Sequence, residues 1–286
     1  MHWQLRARTL ELDRPIVVGI VNVTPDSFSD GGRLATPEAA LAHARRLVAE
    51  GADVLDVGGE STRPQGAVPV SAAVERARVV PVVRLLRRAL PDVPVSVDTV
   101  KAEVAEAVLD EGADAINDVS AFRLDPRMAQ ICAHAGCGVI LMHSRGAVHD
   151  MGTFVHADYD GDAAGVVMAE LRERVDHARR AGVAADRIVV DPGIGFAKRA
   201  ATSLAMLAAL PALAAWGYPV LVGVSRKRFI GEITGVREPQ ERVHGTTGAN
   251  VAALCLGARL FRVHDARAAR EALDVAWAVR GAGAPA

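Results

Sequence analysis

Eight short runs rich in Val, Ile and Leu alternate along the chain with longer stretches of helical period, and each run ends at or beside a polar residue. The runs are Ile16 to Asn22, Asp53 to Gly58, Pro94 to Asp98, Ala115 to Val119, Gly138 to His143, Arg187 to Asp191, Pro219 to Ser225 and Arg259 to His264. Between them lie amphipathic segments such as Pro37 to Glu50, Ala72 to Leu90, Lys101 to Glu111, Asp162 to Ala181 and Val243 to Leu256. Capping residues such as Thr36 and Ser71 open several of these. Strands that alternate with helices are βα units and build a parallel sheet. Eight units in 286 residues, against the ~250 typical of the architecture, predict an α/β fold with one closed (β/α)8 TIM barrel over residues 1–286. Half the residues are hydrophobic but only 4% are aromatic, so the core is made of small branched side chains suited to helix-on-sheet packing. Trp3 to Leu12 alternates enough to form a short N-terminal hairpin within residues 1–14, placed to plug the barrel bottom, and the Gly-Ala-rich residues 281–286 read as a frayed tail.

In a closed barrel all eight strand tips converge on one mouth. In order, the tips carry Asn22; Asp56 with Glu60, Thr62 and Arg63; Asp98; Asn117 with Asp118; His143; Asp191; Ser225 with Lys227; and Arg262 with His264. Helix capping accounts for some of the Asn and Asp residues. It does not account for Lys227, Arg262 and His264, so the mouth is expected to be one dense polar site for a small molecule. A formal net charge of -1 leaves no footprint for nucleic acid and no polybasic membrane contact. No run approaches the ~18 uncharged apolar residues of a membrane span, and the first fifteen residues lack a signal-peptide core. Cys132, Cys137 and Cys255 have no zinc-like spacing and read as buried reduced thiols. A cytoplasmic protein is expected.

The tip residues sort into two groups. Asp98, Asn117 and Asp191 offer acceptors and an amide in a row, suited to a planar, donor-rich heterocycle with a guanidine-like edge. Asn22, Arg63, Arg262 and His264 lie on the first, second and eighth strands, neighbours once the barrel closes, and make an anion pocket. Arg and His hold phosphate oxygens, and the Asn22 carbonyl suits a Mg2+ whose other ligands are water and phosphate. A competing reading gives Arg262 and His264 salt bridges to Asp265 or Glu60. Asp30, followed by two glycines, reads in isolation as a turn residue.

The chain resembles the dihydropteroate synthases of folate biosynthesis. The resemblance rests on NVTPDSFSDGG at Asn22 to Gly32, DVGGESTRP at Asp56 to Pro64, SVDT at Ser96 to Thr99, IND at Ile116 to Asp118, LMH at Leu141 to His143, DPGIGF at Asp191 to Phe196, VGVSRK at Val222 to Lys227 and RVHD at Arg262 to Asp265. It implies a barrel that joins 4-aminobenzoate to 6-hydroxymethyl-7,8-dihydropterin pyrophosphate with Mg2+, releasing pyrophosphate. It implies that Asp98, Asn117, Met142, Asp191 and Lys227 hold the pterin, and that Asn22, Arg63, Arg262 and His264 hold pyrophosphate and metal. Phe28, Thr62, Pro64, Phe196 and Ser225 would border the aminobenzoate. Asp30, Arg63 and Lys227 would act on the reacting centre, with Phe28, Asp30 and Arg63 closing over it. A homodimer and a sulfonamide target are implied as well. Loss of Arg262 or Lys227 is expected to nearly abolish turnover and leave the fold intact.

The chain departs from the family pattern in four places. Ser144 to His149 replaces a Gly- and Pro-containing stretch after LMH, and His143, His149 and His156 around it read as solvated loop histidines. Ala197 stands where Gly is common in GFGK, and Thr202-Ser203 stand where a His-containing pair often occurs. His244-Gly245-Thr246-Thr247 stands in the last helix in place of a more usual Gly-Ser or Gly-Thr opening, with no assigned role. Two alternatives stay open: a non-catalytic pterin-binding paralogue, and a methyltetrahydrofolate-binding methyltransferase domain, which has no need for a pyrophosphate pocket.

Overall fold

The computed structural model describes residues 1–24, 36–61 and 69–282. An antiparallel pair, β1 (His2–Gln4) and β2 (Thr9–Glu11), precedes an eight-stranded parallel sheet. Its strands are β3 (Ile16–Asn22), β4 (Val54–Gly58), β5 (Val95–Asp98), β6 (Ala115–Asp118), β7 (Gly138–Met142), β8 (Ile188–Asp191), β9 (Leu221–Val222) and β10 (Leu260–Val263). Each strand from β3 to β8 pairs with the next, and β10 bridges β9 and β3. The remaining seam closes where Val190 bridges Val220 and its N–H donates to Pro219 O at 3.0 Å. The sheet is therefore the expected barrel.

The barrel is wrapped by α1 (Pro37–Ala49), α2 (Ala72–Ala89), α3 (Ala102–Asp110), α4 (Met128–Ala135), α5 (Ala163–Arg180), α6 (Ala200–Ala208), α7 (Leu210–Ala214), α8 (Arg228–Thr234), α9 (Val243–Cys255) and α10 (Ala266–Ala282). Thr36 Oγ1, Ser71 Oγ and Asp162 Oδ1 accept the N–H groups of Ala39, Val74 and Gly165, which satisfies otherwise orphaned donors in the first turns. The strands are buried on both faces, and this is why they read as continuous apolar runs. Val17, Val21, Leu55, Val57 and Val97 face the helices. Ile16, Val18, Val54, Ile140, Val189 and Leu260 fill the barrel interior.

The N-terminal hairpin seals the bottom of that interior. Trp3, Leu5 and Leu12 pack on the inner layer, and Trp3 Nε1 donates to Arg187 O at 2.9 Å. Gly138 permits this approach, since a Cβ there would meet Leu5 Cδ2 at 2.8 Å and the Trp3 ring at 3.0 Å.

Three expectations need correction. The seventh run forms a strand only over Leu221–Val222, with one further bridge at Val220, because the chain turns away from the ladder after Val222 to shape the mouth. Gly281 and Ala282 continue α10 instead of fraying, and residues 283–286 lie outside the described residues. All three cysteines are free, but only Cys132 and Cys137 are buried; Cys255 is exposed at the end of α9. Among the described residues, no helix is long and apolar enough to cross a membrane.

Candidate active site at the barrel mouth

A cavity of about 500 Å³ opens at the C-terminal ends of the strands. Asn22, Asp98, Asn117, Met142 and Asp191 reach it from β3 and β5 to β8. Phe196, Ser225, Lys227, Arg262 and His264 complete its wall. Phe28, Asp30, Thr62, Arg63 and Pro64 lie outside the described residues.

One charge cluster spans the floor. Arg262 donates from Nε to Asp56 Oδ2 at 2.6 Å and from Nη2 to Asp98 Oδ2 at 3.0 Å. Asp56 Oδ2 also accepts from Asn117 Nδ2 at 3.0 Å, while its buried Oδ1 has no hydrogen-bond partner among the described residues. The salt bridges expected for Arg262 thus go to other partners: Asp265 is taken by Arg226 and Glu60 by Lys101. Asp56, seen at a strand tip but given no role in the sequence reading, is the centre of this cluster. His264 pairs instead with Ser225, Nδ1 to Oγ at 3.0 Å.

Burial shifts the titration of Asp98, Asp191 and Lys227 toward neutrality. It pushes the Asp98 carboxyl up to about 7, against the pull of Arg262. Asp191 is raised to about 6 by burial, opposed by the Gly193 N–H that donates to Oδ1 at 2.7 Å and by Lys227. Lys227 is lowered to about 7 by burial, opposed by Asp191. Its ammonium donates to Ile194 O at 2.8 Å and lies 4.0 Å from the Phe196 ring centroid. Acids and a lysine poised near neutrality in one cleft are the mark of a functional site.

The sequence reading missed Lys198. This side chain is fully buried, with Nζ 2.8 Å from His143 Nδ1 and 3.0 Å from Phe196 O. Burial lowers it to about 7, and Asp191 opposes that shift. The available signal was its position directly behind the DPGIGF tip. His143 is buried rather than solvated, held down to about 4 by burial and then by Lys198. Its Nε2 faces Glu170 Oε2 at 2.8 Å. Glu170 is also ion-paired to Arg145, whose guanidinium covers the Tyr159 ring at 4.1 Å. The divergent loop after LMH therefore braces the outside of the site. His156 and His149 flank Asp150 at 2.9 and 3.7 Å, and among the described residues no cluster of three metal-ligating side chains occurs.

A family model described as "Pterin binding enzyme" matches residues 18–264. A dihydropteroate synthase of Mycobacterium leprae is 46% identical over 268 residues, covering 91% of this chain and 93% of the relative. The chain belongs to the dihydropteroate synthase family. The family also includes an "Inactive dihydropteroate synthase 2" of the same organism, 40% identical over 288 residues and covering 100% of this chain and 97% of the relative. Among solved structures, the Xanthomonas albilineans dihydropteroate synthase in complex with 7,8-dihydropteroate superposes with a TM-score of 0.87 at 44% identity, covering 100% of both chains. The dihydropteroate synthase barrel and the barrel described above are thus one architecture.

Proposed function

We propose that the mouth joins the methylene carbon of 6-hydroxymethyl-7,8-dihydropterin pyrophosphate to the amine of 4-aminobenzoate, giving 7,8-dihydropteroate and pyrophosphate. The observation that carries this reading is the continuity of Asp98, Asn117, Asp191 and Lys227 with Asn22, Arg262 and His264 in one cavity. The first four suit a pterin edge; the last three suit the leaving pyrophosphate. The related Xanthomonas albilineans structure holds 7,8-dihydropteroate, the product of the proposed reaction.

The C–O bond to pyrophosphate breaks with its electron pair leaving on oxygen, and the arylamine nitrogen forms the new C–N bond. The nitrogen then sheds one proton, which needs no strong base because an N-alkyl arylammonium is acidic. Arg262, held between Asp56 and Asp98, stabilises charge on the departing oxygens. Lys227, poised near neutrality, donates to the pterin. Phe196 and Ser225 border the aminobenzoate. From the sequence resemblance, we assign Arg63 to the pyrophosphate, Asp30 to the reacting carbon, and Phe28, Thr62 and Pro64 to the aminobenzoate.

For Mg2+ we assign Asn22 Oδ1 as the protein ligand. Gly58 leaves the adjacent space open, since a Cβ there would lie 3.2 Å from that oxygen. One protein oxygen is enough for an ion that keeps water and phosphate as its other ligands. When bound it neutralises pyrophosphate charge. We further propose a cytoplasmic homodimer that buries the apolar surface of α10, where Val275 and Val279 are 66% and 69% exposed.

The test is pyrophosphate release by the purified protein given the dihydropterin pyrophosphate and Mg2+, with and without 4-aminobenzoate, with chromatography for dihydropteroate. Product that depends on both organic substrates supports the synthase. Pterin binding without product places the chain with the inactive relative instead.

A further inference from the structure

Arg226, between Ser225 and Lys227, sits in the left-handed region at φ +60°. Residues with a side chain rarely adopt that conformation, and it persists only where the surroundings over-determine it. Three groups do so here. Thr246 Oγ1 accepts the Arg226 N–H at 2.9 Å. Arg242 Nη1 donates to Arg226 O at 3.0 Å and to Lys227 O at 3.4 Å. Asp265 takes the Arg226 guanidinium through two bonds of 3.0 and 2.7 Å. Both polar groups of one peptide unit's flanks are thereby fixed, along with the side chain between them.

The first turn of α9 is shaped to reach this segment. A Cβ at Gly245 would meet Ile230 Cγ2 at 2.4 Å, so only glycine lets α9 lie this close to α8. A Cβ at Gly231 would meet Arg242 Nε at 2.8 Å and Val236 O at 2.7 Å. Arg242 is further anchored by donating to Val236 O at 3.0 Å and to Arg237 O. Thr246 is buried and stands behind the wall of the cavity, not in it.

We propose that Thr246, assisted by Arg242, is a positioning residue of the synthase site: it pins the left-handed turn at Arg226 and so sets the placement of Ser225 and Lys227 on either side. This rests on the function proposed above, in which those two residues meet aminobenzoate and pterin. It assigns a role to the Gly245-Thr246 pair. Loss of the hydroxyl acceptor leaves the Arg226 N–H without a partner and frees the turn to relax. Displacing a reacting group by about 1 Å costs on the order of 10²-fold in rate.

Steady-state kinetics of Thr246→Val and Thr246→Ser separate this role from simple packing. Val keeps the shape and loses the acceptor; Ser keeps the acceptor and loses a methyl. The expected result is a fall in kcat of about 10- to 100-fold in Thr246→Val, a raised KM for 4-aminobenzoate, and near-parental values in Thr246→Ser. Arg242→Lys, which keeps the charge without the forked donors, is the second variant and is expected to lose kcat in the same way. Parental kinetics in both Thr246→Val and Arg242→Lys, or equal losses in the Val and Ser variants, overturn the proposal. A parent chain that forms no dihydropteroate removes the functional reading and this proposal together, whereas unaffected variants of an active parent remove this proposal alone.

Discussion

Lys198 Nζ donates to His143 Nδ1 at 2.8 Å, and the opposite ring nitrogen of His143 lies 2.8 Å from Glu170. With His143 held down to about 4, the ring is neutral, accepts at Nδ1 and donates from Nε2. Lys198 spends a second proton on Phe196 O. A buried amine thus ties the fifth strand tip of the barrel to the loop that carries Phe196.

Replacing Lys198 with Met keeps an unbranched side chain one atom shorter and removes its donors. His143 Nδ1, which is buried, and Phe196 O, which is part-buried, then lose their donor, at a cost of about 1–3 kcal/mol for a fully buried acceptor before relaxation. Urea unfolding of Lys198→Met should show a loss in that range, and the KM for 4-aminobenzoate should rise more than that for the pterin substrate. Equal changes in both KM values would argue against a specific hold on Phe196.

The other end of the same chain of contacts sets a pH dependence. The Glu170 carboxyl is held down to about 2, chiefly by the hydrogen bond from His143 and then by Arg145. A carboxyl whose folded value lies below its ordinary 4.5 contributes stability above that value and loses it as pH falls toward the folded one. The Tm gap between the parent and Glu170→Gln should therefore be present at pH 7 and close between about 4.5 and about 2. A gap unchanged down to pH ~3 contradicts the linkage.

Ala197 sits in the left-handed region at φ +46°, a conformation to which Gly is better suited. The left-handed conformation costs an L-residue roughly 1–2 kcal/mol, partly offset by the ~0.5–1 kcal/mol entropic cost of Gly. Ala197→Gly should raise stability by about 0.5–1 kcal/mol in urea unfolding. Destabilisation would mean that the methyl group packs well enough to outweigh the strain.

Arg262 was expected from the sequence to be dispensable for folding. Its pairing with Asp56, which is fully buried, changes that expectation. Removing one partner of a buried ion pair costs about 3–5 kcal/mol, and removing a contact to the leaving group costs about 10²- to 10³-fold in rate. Arg262→Ala should show both losses, read by thermal unfolding and turnover. Introducing Asp56→Asn alongside should recover part of the stability and none of the rate.

The strands were legible because parallel strands buried on both faces leave unbroken apolar runs. The seventh was overrun at its C-terminal end, since an apolar run does not reveal where ladder pairing stops; the pairing ends at Val222 and the run continues into the turn. Tip residues such as Asp98, Asn117 and Asp191 were legible because each is a polar group closing an apolar run. The partner of Arg262 was not, because Asp56 is 206 residues away in sequence and only barrel closure joins them. Lys198 was missed for the same reason: its importance lies in a contact 55 residues distant. The expectation for Cys255 failed because membership of a helix does not say which side of it faces water.

The seal that Trp3, Leu5 and Leu12 form across the barrel bottom makes the described part of the barrel a flask stoppered at its base. Traffic through a single neck obeys the rule of a stack, in which the first item loaded is the last to leave. Asn117, proposed above for the pterin, is almost fully buried, while Phe196, proposed for the aminobenzoate, is only half-buried. On that proposal the heterocycle is expected to load before the arylamine, and an aminobenzoate that arrives early is expected to cork the vessel against its own co-substrate.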